Sequence, residues 1–147
     1  MIFYIMVMIL QKEILIKSKE RGFNLITREV LEALPEISEF SVGILHLFIK
    51  HTSASLSISE NADPTVRYDL ETFFNRTVPE DYSLYRHTME GLDDMTSHIK
   101  NVMIGSSLTI PITNGSLNLG TWQGIYLCEH RNNARTRKIL ATITGEK

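Results

Sequence analysis

Ser41–Lys50, SVGILHLFIK, is the run whose reading decides how this chain folds. Val42, Ile44, Leu45, Leu47, Phe48 and Ile49 leave almost no polar alternation, and the run is too short for a free-standing helix. A short apolar run rich in β-branched and aromatic residues reads as a strand covered on both faces. His46 inside it reads as a packed histidine. Working outward, His51–Thr52–Ser53 ends the strand and Leu56–Ser59 alternates as a second one. Asp63 then Pro64 form a strong helix start, a side-chain N-cap followed by proline at the first helical position. Val66, Leu70, Phe73 and Phe74 follow at helical spacing and predict a core face.

On the N-terminal side, Ile9–Lys17 reads as a first strand, Arg21–Gly22 as a turn and Phe23–Ile26 as a short extended piece. Thr27 is placed to cap a helix with Val30, Leu31 and Leu34 on one face, ending at Pro35. Beyond the central helix, Thr77–Leu84 reads as a loop. A second long helix is predicted from about Met95 to Ile104, with Ile99, Val102 and Met103 inward and Gly105 as its stop. Ser107–Ile112 is a strand, Asn114–Gly115 a hairpin turn, and Leu117–Leu119 a return strand. Gly120–Gly124 interrupts that strand and Ile125–Glu129 continues it. Asn132–Asn133 marks a turn and Lys138–Thr144 the last strand.

The chain has 147 residues, enough for one domain with a proper core, and no internal repeats or linkers. A formal net charge of −2 argues against a nucleic-acid scaffold. Basic residues crowd at Arg131, Arg135, Arg137 and Lys138, a local patch suited to a small phosphate ester. Cys128 is the only cysteine, which excludes an intramolecular disulfide and fits a reducing compartment. Its apolar surroundings point to packing rather than reactivity. The opening MIFYIMVMIL is too short to span a bilayer and lacks the flank and cleavage site of a signal peptide. With Met6 and Met8 as alternative starts, residues 1–8 read as an extension arising from start-site choice. The domain is then 9–147, without a membrane or nucleic-acid partner, and the protein is read as cytoplasmic.

Chemistry concentrates in Tyr85–Lys100, YRHTMEGLDDMTSHIK. His87 and His98 flank the pair Asp93–Asp94, and imidazole with carboxylate is a ligand set for zinc and related ions. Ten residues separate the two histidines, so this is no HExxH helix. It reads as a loop carrying His87 followed by the first turn of a helix carrying His98. Two arrangements are open: the histidines are scattered caps and surface groups, or His51, His87 and His98 gather on one metal. His130, between Glu129 and the basic patch, suits an anion better. A Ser–His–Asp triad drawn through Ser53 or Ser55 has no GxSxG elbow to support it. Neither a Walker loop nor a dinucleotide fingerprint is present. Glu60 and Asn61 lie at a strand end without a capping duty in the pattern, a common place for a site.

HTSASLSISENADPTVRYDLE (His51–Glu71), YRHTMEGLDDMTSHIK and GTWQGIYLCEHR (Gly120–Arg131) together closely resemble the YjbQ-like family, known as secondary thiamine-phosphate synthases. The likeness runs from about Gln11 to Glu146, with Thr96 where the family often has proline or a small residue. The resemblance implies an α+β domain, a mostly antiparallel or mixed sheet packed against helices, assembled as a homotrimer with sites where subunits meet. It implies a divalent metal, zinc or magnesium, held by His51, His87 and His98 with Asp94 as a further ligand. The implied reaction joins hydroxymethylpyrimidine diphosphate to a thiazole phosphate and releases diphosphate. In that reaction Glu60, Asn61, Asp63 and Gln123 orient substrate, Trp122 stacks on a ring, and Ser53 and Arg131 bind substrate. Glu129 and His130 serve the phosphate side or move protons. The alternatives are a metal-dependent hydrolase of a small phosphorylated or heterocyclic metabolite, and a non-enzymatic trimeric metabolite-binding protein.

Overall fold

The computed structural model describes residues 6–147 as two antiparallel sheets with three α-helices. The strands are β1 (Met8–Ile16), β2 (Gly22–Leu25), β3 (Val42–Ile49), β4 (Ala54–Glu60), β5 (Ser107–Thr113), β6 (Ser116–Leu117), β7 (Gln123–Glu129) and β8 (Arg137–Glu146). The helices are α1 (Thr27–Ala33), α2 (Pro64–Thr77) and α3 (Leu92–Ile104). One sheet has the order β1-β8-β3-β5-β6 and the other β2-β7-β4. Antiparallel sheets with helices packed against them make this the expected α+β class. The proposed extension at residues 1–8 falls largely outside the described residues, and β1 already begins at Met8. Among the described residues no helix is long and apolar enough to cross a membrane.

The main core lies between the sheets. Ile14, Leu45, Leu47, Ile110, Ile139 and Ile143 from the five-stranded sheet meet Leu56, Ile125 and Leu127 from the three-stranded one, with Val30 and Leu34 closing one side. The opposite face of the smaller sheet presents Phe23, Tyr126 and Cys128 to Leu70 and Phe74 of α2 and Ile104 of α3. This second layer explains why β7 is buried on both faces, as its unbroken apolar run predicts. The lone Cys128 is packing material here, and burial pushes its thiol pKa well up.

Several local expectations hold. Asp63 caps α2, its Oδ1 accepting from Thr65 N at 2.9 Å, with Pro64 in the first turn. Gly105 ends α3, and Asn114–Gly115 turns the β5–β6 hairpin with both residues at positive φ. Others are corrected. β3 alternates, with Ile44 and Phe48 exposed and Leu45, Leu47 and Ile49 buried, so one face of its sheet is open in the single chain. Thr27 is the first helical residue, not a cap; its hydroxyl accepts Ile125 N at 2.9 Å and ties α1 to β7. Strand β7 does not continue β6: the Gly120–Trp122 segment carries the chain from one sheet to the other. Phe73 on α2 stays exposed while Leu70 and Phe74 pack.

The largest correction concerns α3. It starts three residues earlier than predicted and turns its polar side inward. Asp93, Asp94, Thr96, Ser97 and Lys100 are its buried residues, whereas Val102 is 83% exposed and Met103 is exposed as well. Positions 93, 96, 97 and 100 share one helical face. Each polar group there finds a partner: Ser97 Oγ donates to Asp94 O at 2.5 Å and Lys100 Nζ to Asn75 Oδ1 at 2.7 Å. Buried polar groups so satisfied need not be excluded from a helix's inner face.

A candidate metal centre at the start of α3

Gly91 precedes α3 with φ +109°, a conformation that side chains resist, and brings the chain abruptly into the helix. Asp93 and Asp94 therefore occupy the first turn, where the helix dipole favours negative charge. Because α3 begins here, Asp94 and His98 stand one turn apart on the same face, and the preceding loop folds His87 back onto them. His87 Nε2 lies 2.7 Å from Asp94 Oδ2, and His98 Nε2 lies 3.3 Å from the same oxygen. One ligand atom from each of the three falls within 4.8 Å of the others. Bonds of about 2.0–2.2 Å would let one ion reach all three after small side-chain movements.

His98 Nδ1 is 2.8 Å from Thr52 O, and a carbonyl only accepts, so Nδ1 carries a proton and Nε2 is the nitrogen turned toward Asp94, the one that would ligate an ion. Asp94 is 1% exposed. Burial pushes its carboxyl pKa up, but the His87 hydrogen bond, then the charges of His98 and Arg131, outweigh burial and hold it below the usual range. The result is a buried carboxylate kept ionised beside two imidazoles.

The β7–β8 turn seals the other side. Arg131 Nε donates to Asp93 Oδ2 at 3.0 Å, Nη1 bonds Asp94 Oδ1, and Nη2 donates to Glu90 O at 3.2 Å. Behind it, Arg137 pairs with the fully buried Glu129 through Nε at 2.7 Å and Nη2 at 2.5 Å. A cleft of about 360 Å³ opens beside these groups, lined by His51, Ser53, Arg131, Arg135, Thr136 and Arg137 among others. Among the described residues Arg135 forms no ion pair.

His51 does not join the other histidines. Its Nε2 accepts Lys138 N at 2.8 Å, which fastens the end of β3 to β8. Burial first, and then Arg137, lower its pKa, consistent with a neutral acceptor. His130 is buried, and its Nε2 lies 2.9 Å from Ser55 Oγ. That serine–histidine pair exists, but both members are sealed from substrate.

The remaining candidates lie elsewhere. Strand β4 pairs with β7 so that Ala54 faces Glu129 and Glu60 faces Gln123. Glu60 and Gln123 are thus at the far end of the small sheet, roughly 20 Å from Glu129 at ~3.3 Å per residue. Their polar groups are engaged locally. The Glu60 carboxylate accepts Ala62 N at 2.9 Å and Asp63 N at 3.1 Å, and Gln123 Oε1 accepts Gly120 N at 2.8 Å. Asn61 Nδ2 donates to Thr121 O and Gln123 O, each at 3.1 Å. Trp122, on this braced loop, is 65% exposed. Sequence reasoning missed Thr52, which acts through its backbone carbonyl, and Lys100, whose burial no apolar periodicity announces.

The family model described as UPF0047 protein YjbQ-like matches residues 12–146. The chain is 51% identical over 136 residues to UPF0047 protein YjbQ of Escherichia coli O157:H7, covering 92% of this chain and 98% of that one. It is 38% identical over 135 residues to UPF0047 protein YugU of Bacillus subtilis, covering 91% and 98%. A crystal structure of a yjbq/upf0047 family protein from Clostridium acetobutylicum superposes with a TM-score of 0.78 at 38% identity, over 90% of this chain and 98% of that one. The fold alone is shared with a YbjQ-like protein of Sulfolobus solfataricus, with a TM-score of 0.84 at 22% identity over 96% and 100% of the two chains.

Proposed function

We propose, for a chain that belongs to the UPF0047 YjbQ-like family, a metal-dependent transferase acting on phosphorylated heterocycles in the manner of a thiamine-phosphate synthase. The observation that carries this reading is the His87–Asp94–His98 group, joined through Arg131 to a basic cleft. Two imidazoles and one carboxylate suit zinc and neighbouring transition ions better than magnesium, which takes oxygen ligands and keeps its waters. His87, Asp94 and His98 would hold the ion, which when bound neutralises negative charge on a departing diphosphate. Arg135, which lines the cleft, receives the phosphate oxygens. His51 and Ser53 define the cleft wall.

Trp122, Asn61 and Gln123 lie too far from this centre to serve it within one chain. The reading therefore includes the homotrimer implied by the resemblance, with the open face of β3 as the natural surface to cover. A second reading, hydrolysis of a phosphorylated metabolite, draws support from the small number of protein ligands, since three leave room for water. A non-enzymatic binding protein is the third.

Incubation of zinc-loaded protein with hydroxymethylpyrimidine diphosphate and thiazole phosphate separates these readings. Thiamine phosphate formed by the wild type and lost with bound metal in His98→Ala supports the transferase. Inorganic phosphate alone favours the hydrolase, and ligand binding without turnover the third reading. Sedimentation at micromolar concentration is expected to give a trimer of the 16.8 kDa chain; a monomer overturns that part.

A further inference from the structure

Asp94 has two carboxylate oxygens, and they face different things. Oδ2 faces His87 and His98, while Oδ1 bonds Arg131 Nη1. We infer that Arg131 fixes Asp94 as a one-oxygen metal ligand and thereby sets which ions the centre accepts, an assignment that rests on the metal-centre reading above.

Arg131 is held on three sides. Asp93 Oδ2 takes its Nε at 3.0 Å, Asp94 Oδ1 its Nη1, and Glu90 O its Nη2 at 3.2 Å. Its backbone is pinned as well: Arg131 N donates to Glu129 Oε2 at 3.2 Å, and Asn132 N to Asp93 Oδ2 at 2.9 Å. The guanidinium cannot swing into the cleft without breaking several of these bonds at once. A planar fork with donors in fixed directions does this; a lysine, with one nitrogen, cannot reach all three acceptors.

The consequence follows from coordination chemistry. Ions that favour six to eight oxygen ligands commonly use a carboxylate through both oxygens. With Oδ1 occupied, Asp94 offers one oxygen, so the protein supplies three single-atom donors. That set fits a four-coordinate ion with one open position, as in catalytic zinc sites. Arg131 is therefore a positioning residue for Asp94, not a phosphate ligand first. It places the ligating oxygen and withholds its neighbour.

The test compares the wild type with Arg131→Met, Arg131→Lys and Asp93→Asn, each loaded separately with cobalt(II), zinc and manganese. The wild type is expected to give the intense visible bands of four-coordinate cobalt and a strong zinc preference. In Arg131→Met both oxygens of Asp94 become available. The cobalt bands should weaken as coordination number rises, and the zinc-over-manganese preference should fall ~10-fold or more, the scale on which outer partners tune metal sites. Arg131→Lys should behave like the methionine variant, because charge without the fork does not hold Oδ1. Asp93→Asn loosens the anchor without touching Asp94, shifts both readouts the same way, and carries the test if the Arg131 variants do not fold.

Unchanged cobalt spectra and unchanged metal preference in folded variants overturn the inference while leaving the metal centre standing. A wild type that binds none of the three ions overturns the centre itself, and the role of Arg131 with it.

Discussion

The two ends of the three-stranded sheet carry similar polar residues arranged in opposite ways. At the Ala54–Glu129 end, His87, Asp94 and His98 turn toward one point, and buried groups behind them hold that geometry. At the Glu60–Gln123 end, Glu60, Asn61 and Gln123 are consumed by backbone amides and carbonyls of their own loops. One end aims its polar groups at a shared point; the other uses them to brace a loop that presents Trp122. Proximity to a strand end thus says little about role. What distinguishes a site is where the second partner of each polar atom lies.

The sharpest way to break this contrast is to remove a support behind the first end. Glu129 is fully buried and binds Arg137 through both oxygens as well as Arg131 N. Glu129→Gln removes the charge and leaves Arg137 buried without its counter-ion. Breaking a buried pair from one side costs ~3–5 kcal/mol. Denaturant melts should show that loss, and the weakened β7–β8 turn should lower metal affinity in the folded protein. A loss under ~1 kcal/mol would mean that water reaches Arg137 and that this end is not dry.

His130 probes the same end through pH. Burial, then Lys100, Arg21 and Arg137, hold its pKa down to about 3 from an ordinary 6.5. Below pH 6.5 the unfolded chain gains a proton that the folded chain refuses, so folding stability is full above that value. It falls as pH drops toward 3, by up to ~1.4 kcal/mol per unit. His130→Gln should flatten this part of the curve even if it lowers stability at neutral pH. A wild-type and variant pair with parallel curves between pH 6 and 4 would show that His130 is not the group responsible.

Much of this organisation was legible in the chain. Asp63–Pro64, Asn114–Gly115 and Gly105 mark their turns and caps through local chemistry that packing does not override. The pairing of His87 with His98 and Asp94 was legible from ligand type. The inward face of α3 was not, because apolar periodicity assumes that polar residues face water. Lys100 and Asp93 instead find partners from α2 and the β7–β8 turn, which are distant in sequence. His51 misled for a related reason: its partner is the backbone of Lys138, and backbone partners have no residue type to read. β3 alternates in the single chain despite its unbroken apolar run, since the run records which side chains avoid water and not which surface covers them.

The smallest expected effects belong to the far end, and there two neighbouring carboxylates make a matched test. Asp63 caps α2 by accepting from Thr65 N and Thr65 Oγ1, at 2.9 and 2.8 Å. Asp63→Ala should cost ~1 kcal/mol. Glu60 receives Ala62 N and Asp63 N one turn earlier, so Glu60→Gln keeps one carbonyl acceptor and should cost less than the lost cap. Neither change touches the His87–Asp94–His98 group, and metal affinity in both variants should equal that of the wild type. Turnover then decides what the bracing is for. If Glu60→Gln melts slightly early and keeps its activity, the far end is scaffold. If it melts normally yet loses ~10²–10⁴-fold in turnover, Glu60 is moving a proton or positioning substrate. Across ~20 Å of sheet, at ~3.3 Å per residue, that could happen only at a centre supplied by another copy of the chain.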